Sequence, residues 1–248
     1  MLNLPISVVE TLLFTGAVGI WGILLFGGFF FGTLNKEETH KIPTHSRLLS
    51  SFTLVVAAWM WFAIAQGTPI DVFAGWVAVG MTFGLLGDIF MAKVLNIEPH
   101  VLYGMVAFGI GHILYIIGTW MVALPHNVPF PDIPTLVIWW IIAIVAWYLV
   151  VYRNSDKSRL IYISLPYALL LASTVGFTMR LAWLDSTFTL VTLGAILFLI
   201  SDLLLAIQLF KNAHFKYIGD VVWLLYGPAQ MLIVLGVPLY TLFMPSSA

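Results

Sequence analysis

Apolar residues in this chain occur in long continuous runs that polar or proline-rich breaks interrupt. A run of about 20 apolar residues matches a helix that crosses the hydrocarbon core of a bilayer. Transmembrane strands would instead alternate apolar and polar residues over about ten positions, so the pattern predicts helices. The eight predicted spans are 7–34, 48–66, 72–92, 101–123, 134–152, 159–181, 187–210 and 218–244.

Composition supports a membrane protein and excludes other classes. Of the 248 residues, 61% are hydrophobic and 8% are charged, whereas soluble domains carry about 25% charged residues. The formal net charge is −1 and the sequence has no basic run, so it lacks the clustered Lys and Arg residues that bind the phosphates of nucleic acid. The absence of cysteine excludes disulfides and thiolate metal ligands. We therefore predict one all-α integral membrane domain over residues 1–248, an eight-helix bundle surrounded by membrane lipids.

The basic residues predict an orientation. Nine of the ten Lys and Arg residues fall in the first, third, fifth and seventh predicted loops. The positive-inside rule places these loops in the cytoplasm and both termini outside. No basic segment precedes the first apolar run, so we expect a retained helix rather than a signal peptide. The expected location is the plasma or inner membrane of the cell.

Asp88, His112 and Asp202 lie well inside predicted spans, whereas Asp220 lies at the start of the eighth span, where favourable charge at a helix N terminus explains it. A carboxylate near the bilayer centre costs roughly 2.5–3.5 kcal/mol on insertion scales, so such residues indicate function. At the helical rise, Asp88 and Asp202 lie roughly 8 Å and 14 Å from the next lysine towards the predicted cytoplasmic side. Both carboxylates are therefore expected in the cytoplasmic half of the membrane.

Helical spacing predicts that polar residues of the third, fourth, seventh and eighth spans share inward faces. Glycines beside these residues allow helices to approach closely, so the four faces are expected to meet. Pro166 removes the hydrogen bond to the carbonyl of Tyr162, which places Tyr162 near an internal site as well. The predicted site residues are Asp88, His112, Tyr115, Tyr162, Ser201, Asp202, Tyr226 and Gln230.

Two segments of the chain resemble each other. Residues 87–92, Gly-Asp-Ile-Phe-Met-Ala, are similar to residues 201–206, Ser-Asp-Leu-Leu-Leu-Ala. The separation in sequence is 24 positions between Asp88 and His112, and again between Asp202 and Tyr226. This agreement suggests a parallel repeat of four plus four helices. The simpler interpretation is that each Asp accepts a hydrogen bond from a neighbouring helix and only fixes packing.

Several short motifs carry a resemblance to a known family. They are Leu86-Gly87-Asp88, Gly104-x-x-x-Phe108-x-x-x-His112-x-x-Tyr115, Gly194-x-x-x-Phe198-x-x-Ser201-Asp202 and Tyr226-x-x-x-Gln230. Over roughly residues 41–235 the chain resembles the YhhN family of membrane proteins, which includes the animal lysoplasmalogenases. Two positions depart from the family pattern. Lys41-Ile42-Pro43 replaces the Lys-Pro pair that members tend to carry before the second helix, and Leu165-Pro166 in the sixth helix replaces an expected Tyr-containing run.

The resemblance implies hydrolysis of the alkenyl ether bond of lysoplasmalogens, which gives a fatty aldehyde and a glycerophospho-headgroup compound. It also implies that Asp88 and Asp202 are the catalytic pair, with a lysophospholipid as the substrate partner. Vinyl ether hydrolysis starts with protonation of the β-carbon and needs a negative charge beside the resulting cation. Two carboxylates in a low-dielectric site repel, so one keeps a proton while the other is ionised.

The sequence does not assign which Asp donates the proton. His112 is expected to tune the pair or relay protons, while Tyr115, Ser201, Tyr226 and Gln230 are expected to hold water or glycerol oxygens. No cofactor and no metal ion are predicted for this mechanism.

Two other functions remain open at this point. Intramembrane Asp residues, kinked helices and a repeat are also typical of a proton-coupled transporter. A metal-dependent intramembrane lipid hydrolase would use Asp88, His112 and Asp202 as metal ligands.

Overall fold

A computed structural model of the protein describes residues 7–126, 131–153, 159–211 and 214–243. Within these ranges the chain forms helices and no strands, and eight helices are long and apolar enough to cross a membrane. The chain is therefore an integral membrane protein. The helices are α1 (Val8–Phe31), α2 (Thr44–Ala65), α3 (Asp71–Met91), α4 (His100–Ala123), α5 (Ile133–Tyr152), α6 (Arg159–Leu184), α7 (Thr189–Lys211) and α8 (Ile218–Phe243).

The eight predicted spans are confirmed, and the largest difference at a helix start is in α2. This helix begins at Thr44, directly after Pro43, rather than at residue 48. Its first turn is polar, so the apolar run begins later than the helix itself. As a result Arg47, which was predicted in a loop, lies in the first turn of α2. Both chain termini, residues 1–6 and 244–248, lie outside the described residues.

Two helical hairpins form the centre of the bundle. Helix α3 packs most extensively on α4, and α7 packs most extensively on α8. Helix α8 also contacts α3 and α2, which brings the two hairpins together, while α6 packs against both α4 and α7. We use the name "basic end" for the end of the bundle where α1, α3, α5 and α7 finish. Most Lys and Arg residues of the sequence lie at or beyond this end.

Glycines allow α3 and α4 to approach closely. A Cβ atom added to Gly80 would lie 2.4 Å from the ring of Tyr115, and one added to Gly87 would lie 2.7 Å from the ring of Phe108. A Cβ atom added to Gly111 would lie 2.9 Å from the Gly80 carbonyl oxygen. A larger residue at these positions would displace the neighbouring helix. The prediction that these two faces meet is therefore confirmed.

The outer helices present apolar side chains away from the bundle. Ile20 and Phe30 of α1 are exposed, as are Ile138, Ile141 and Val145 of α5. Such surfaces suit contact with lipid chains, which are as apolar as the side chains themselves. Most buried polar side chains lie instead on α2, α3, α4, α6, α7 and α8, which surround the candidate site.

Candidate active site

Asp88 lies one turn before the end of α3, near the basic end, and its exposed fraction is 3%. The hydroxyl of Tyr226 on α8 donates a hydrogen bond of 2.9 Å to Asp88 Oδ2. The side chain of Ser51 on α2 also lies close to the Asp88 carboxyl group. Side chains of three helices therefore meet at one buried carboxyl group, and the Tyr226 hydroxyl compensates part of its loss of water.

A chain of hydrogen bonds orients the phenol that reaches Asp88. The Tyr115 hydroxyl donates to Gln230 Oε1 at 3.1 Å, and Gln230 Nε2 donates to the Tyr226 oxygen at 3.3 Å. Because Tyr226 accepts from Gln230, its own proton points to Asp88. Tyr115 and Gln230 thus act on Asp88 through Tyr226.

Asp202 on α7 has a different partner. The hydroxyl of Tyr167 on α6 donates to Asp202 Oδ2 at 2.5 Å. Asp202 is only partly buried, and it is close enough to Asp88 for the two carboxylates to interact electrostatically. Tyr167 was not predicted as a site residue. Its one signal in the sequence is a tyrosine directly after Pro166 within an apolar helix.

Both carboxyl groups line a cavity of about 190 Å³ near the basic end, which we call the polar cavity. It extends from the Asp pair to the segment between α1 and α2, so its walls carry hydroxyl, imidazole and guanidinium groups. Its polar and aromatic lining residues are Thr39, His40, Thr44, Arg47, Asp88, Phe108, Ser201, Asp202, Gln208, Trp223 and Tyr226.

A second cavity, of about 290 Å³, lies between α4, α5, α6 and α7, and we call it the apolar cavity. Its walls are almost entirely aliphatic and aromatic, including Trp139, Ala168 and Leu171. Met91, Phe108, Asp202 and Leu205 line both cavities. The two cavities therefore adjoin at Asp202, where a carboxyl group stands between a polar and an apolar space.

The YhhN family model matches residues 44–237, which is most of the chain. The chain belongs to the YhhN family. Comparisons with curated proteins and with solved structures give no match. The YhhN region runs from the first residue of α2 to the last turns of α8, so it contains Asp88, Asp202 and the two phenols that bind them.

His112 does not join the carboxylates in this YhhN protein. Its Nδ1 lies 2.9 Å from the hydroxyl of Thr174, which itself donates to the Leu170 carbonyl at 3.2 Å, so Nδ1 is the donor in this contact. The imidazole packs on Phe198 with ring centroids 4.4 Å apart, and it lines neither cavity. His112 therefore joins α4 to α6 behind the site.

The remaining two predicted site residues have different positions. The Ser201 hydroxyl donates to the Val222 carbonyl at 3.0 Å, and Ser201 lines the polar cavity beside Asp202. The Tyr162 side chain is 54% exposed and lines neither cavity. The structure thus brings Ser201 to the site and leaves Tyr162 at the outer face of α6.

The candidate metal ligands Asp88, His112 and Asp202 do not form one cluster in the structure. Among the described residues, no three His, Cys, Asp or Glu side chains lie close enough together to hold a metal ion. In particular, the imidazole of His112 faces Thr174 and Phe198 rather than Asp88 and Asp202.

Sequence reasoning missed the role of Asp220, which was interpreted only as favourable charge at the start of α8. Asp220 is fully buried and accepts hydrogen bonds from the backbone N–H groups of Lys41 at 2.6 Å and Ile42 at 3.0 Å. Arg47 Nη2 lies 3.6 Å from the same carboxylate. Asp220 therefore ties the segment before α2 to α8, and its neighbour Gly219 lines the polar cavity. The contacts span 178 and 179 positions, so no local pattern indicates them.

Proposed function

We propose that this YhhN protein hydrolyses the alkenyl ether bond of lysoplasmalogens to a fatty aldehyde and a glycerophospho-headgroup compound. The observation that carries the proposal is the junction of the polar and apolar cavities at Asp202. A lysoplasmalogen is polar at its headgroup and apolar along its chain, and its reactive bond lies between the two. The shape and chemistry of the two cavities suit such a molecule.

The orientation of the bound substrate follows from the polarity of the residues that line the two cavities. The alkenyl chain occupies the apolar cavity and the glycerol and headgroup occupy the polar cavity. The β-carbon of the alkenyl group belongs to the chain, whereas the ether oxygen belongs to the glycerol side. In this pose the carbon that must be protonated lies at the apolar side of Asp202, and the ether oxygen lies towards Asp88.

The environments of the two carboxyl groups suggest their roles. Asp88 accepts a hydrogen bond from Tyr226, whose hydroxyl in turn accepts from Gln230, and the Ser51 side chain lies close by. These polar groups stabilise a negative charge. Asp202 has one phenol partner, Tyr167, and borders the apolar cavity, where the neutral carboxylic acid is favoured. We therefore assign Asp202 as the general acid and Asp88 as the carboxylate that stabilises the cation and orients water.

The reaction then proceeds in three balanced steps. Asp202 gives its proton to the β-carbon, and the ether oxygen shares the positive charge of the resulting oxocarbenium ion. Water oriented by Asp88 attacks the α-carbon and gives a proton to Asp88, which forms a hemiacetal. The hemiacetal gives its hydroxyl proton to Asp202 as the bond between the α-carbon and the glycerol oxygen breaks, and that oxygen takes up the proton from Asp88. The products are the aldehyde and the glycerol hydroxyl compound.

Aldehyde release from lysoplasmalogen by the purified protein tests the proposal. We expect Asp88→Asn and Asp202→Asn each to lower turnover by roughly 10²–10⁴-fold, the usual contribution of a positioned acid or base. Asp71→Asn is the matched control, because Asp71 lies at the opposite end of α3 from Asp88. Normal turnover in either well-folded site variant would exclude the two-carboxylate mechanism. Uptake of substrate into proteoliposomes without product would instead identify a transporter.

An isotope experiment tests the chemistry itself. Protonation at carbon in deuterated water would place a deuterium on the carbon next to the aldehyde carbonyl, as mass spectrometry of the promptly trapped product can detect. An aldehyde without deuterium at that position would contradict protonation of the β-carbon.

A further inference from the structure

Arg47 in the first turn of α2 has hydrogen-bonding capacity that the described part of the chain does not use. Its side chain is 15% exposed, and its Nε and Nη2 atoms are buried without a hydrogen-bond partner among the described residues. Arg47 Nη2 lies 3.6 Å from Asp220, which is too long for a hydrogen bond. A buried guanidinium with free N–H groups is costly unless a ligand satisfies it.

The position of this guanidinium is fixed from two sides. The Arg47 side chain lies over the ring of Trp223, with its central carbon 5.5 Å from the ring centroid. Asp220 supplies a compensating charge at 3.6 Å from Nη2, and its two oxygens accept the backbone N–H groups of Lys41 and Ile42. Asp220 therefore holds the charge of Arg47 in place without satisfying its donors. Arg47 and Trp223 both line the polar cavity.

Other donors lie in the same part of the polar cavity. The N terminus of α2 follows Pro43, and no side chain in the described structure caps it, so its first N–H groups and its dipole favour an anion. Thr44, the first residue of α2, lines the cavity together with His40.

His40 adds a neutral donor. Its Nδ1 lies 3.1 Å from the Thr39 hydroxyl, which already accepts from Asn35, so Thr39 donates to Nδ1 and the proton of the imidazole is on Nε2. Burial and the nearby charge of Arg47 lower the pKa of His40, which keeps it neutral at neutral pH.

We propose that Arg47 binds the phosphate of the lysophospholipid whose chain occupies the apolar cavity, with His40, Thr44 and the N terminus of α2 completing the phosphate site. This assignment rests on the proposed function for the direction of the ligand. The planar fork of an arginine matches two phosphate oxygens at once, which a lysine cannot do. The phosphate site favours binding of phospholipids over neutral ether lipids, and it positions the ether bond at the Asp pair.

Binding of lipids that cannot react separates this proposal from catalysis. The probe is a saturated alkyl ether lysophospholipid, which lacks the double bond, and the neutral comparison is the corresponding alkylglycerol without phosphate. We expect Arg47→Met to weaken binding of the lysophospholipid about 30-fold, equivalent to about 2 kcal/mol, and to leave binding of the alkylglycerol unchanged. Arg47→Lys keeps the charge beside Asp220 and should give a smaller loss.

The controls address folding and nonspecific charge effects. Arg180 is also partly buried with an Nε that has no partner among the described residues, but it lines neither cavity, so Arg180→Met should not change either affinity. If Arg47→Met leaves Asp220 unpaired and unfolds the protein, the double variant Arg47→Met/Asp220→Asn and Arg47→Lys provide the comparison. Size-exclusion profile and melting temperature establish that each variant is folded.

The outcomes distinguish the two proposals. Equal binding of the lysophospholipid by wild type and Arg47→Met, or equal losses for both lipids, would overturn the phosphate site. Equally tight binding of a glycerophosphodiester without a chain, or of inorganic phosphate, would assign the site to a soluble anion and overturn its assignment to a lipid. Binding that depends on Arg47 without any aldehyde release would retain the phosphate site and remove the proposed reaction.

Discussion

Asp88 and Asp202 have similar neighbours in the sequence and different neighbours in the fold. Asp88 is almost completely buried, accepts a hydrogen bond from the Tyr226 hydroxyl on α8 and lies close to Ser51 on α2. Asp202 is partly exposed to both cavities and accepts from one phenol on α6. The surroundings of an intramembrane carboxyl group therefore depend on the helices that pack against it. Two positions with nearly the same local motif have different hydrogen-bond partners and different exposure.

The largest expected effect comes from the carboxyl groups themselves. If Asp202 is the acid, Asp202→Asn should lower turnover by about 1,000-fold or more, because the amide cannot donate a proton of comparable acidity. Asp88→Asn should cost less, about 100-fold, because it removes only the negative charge beside the cation. Single-turnover aldehyde release measures both losses. A larger loss for Asp88→Asn would reverse the assignment of roles.

The two phenols provide the next comparison. Tyr226→Phe removes a hydrogen bond to a charged carboxylate, worth about 1.5–3 kcal/mol, so the turnover number should fall roughly 10- to 150-fold. Tyr167→Phe removes a hydrogen bond to a neutral acid, worth about 0.5–1.5 kcal/mol, and should cost only about 2- to 10-fold. Equal losses, measured under saturating substrate, would mean that the two carboxyl groups carry similar charge.

A change in the apolar cavity should affect substrate length rather than chemistry. Ala168 lines the apolar cavity, and Ala168→Phe would fill part of its volume. We expect KM for long-chain substrates to rise about tenfold relative to short-chain ones, since each methylene group that loses its contact contributes about 0.8 kcal/mol. Ala63→Phe on the exposed face of α2 is the control. An unchanged chain-length profile would place the alkenyl chain elsewhere.

The smallest effect on activity is expected at His112, which lines neither cavity. His112→Asn places an amide donor where Nδ1 lies, so turnover should stay within about threefold of wild type, while the lost packing on Phe198 should lower the melting temperature. Parallel measurements of aldehyde release and thermal unfolding separate the two effects. A loss comparable to that of Asp202→Asn would restore His112 to a direct role in proton transfer.

Much of the fold could be predicted from the sequence. Membrane helices satisfy their own backbone hydrogen bonds, so a long apolar run is sufficient to indicate each one. The pairing of α3 with α4 could also be predicted, because Gly80, Gly87 and Gly111 leave room on the helical faces that carry Asp88 and His112. The start of α2 at Thr44 could not be predicted, because a polar first turn has the hydropathy of a loop.

Part of the candidate site could also be predicted from the sequence. Asp88, Ser201, Asp202 and Tyr226 line one cavity, as polar residues on glycine-rich or inward faces indicated. Tyr167 and Arg47 were missed because a tyrosine in an apolar helix and an arginine near a helix start are common in membrane proteins and carry no distinguishing pattern. Tyr162 was included because of a freed carbonyl, a backbone argument that does not determine where the side chain points.

Hydrophobicity and charge are properties of each residue, so the sequence was sufficient to predict membrane-spanning helices with Asp88 and Asp202 inside them. The packing of the helices is needed to show which hydroxyls reach each carboxyl group and that Asp202 lies between a polar and an apolar cavity. It is also needed to show that Arg47 lies over Trp223 beside Asp220. Those relations join residues far apart in the chain, so they depend on how the helices pack and not on any local pattern.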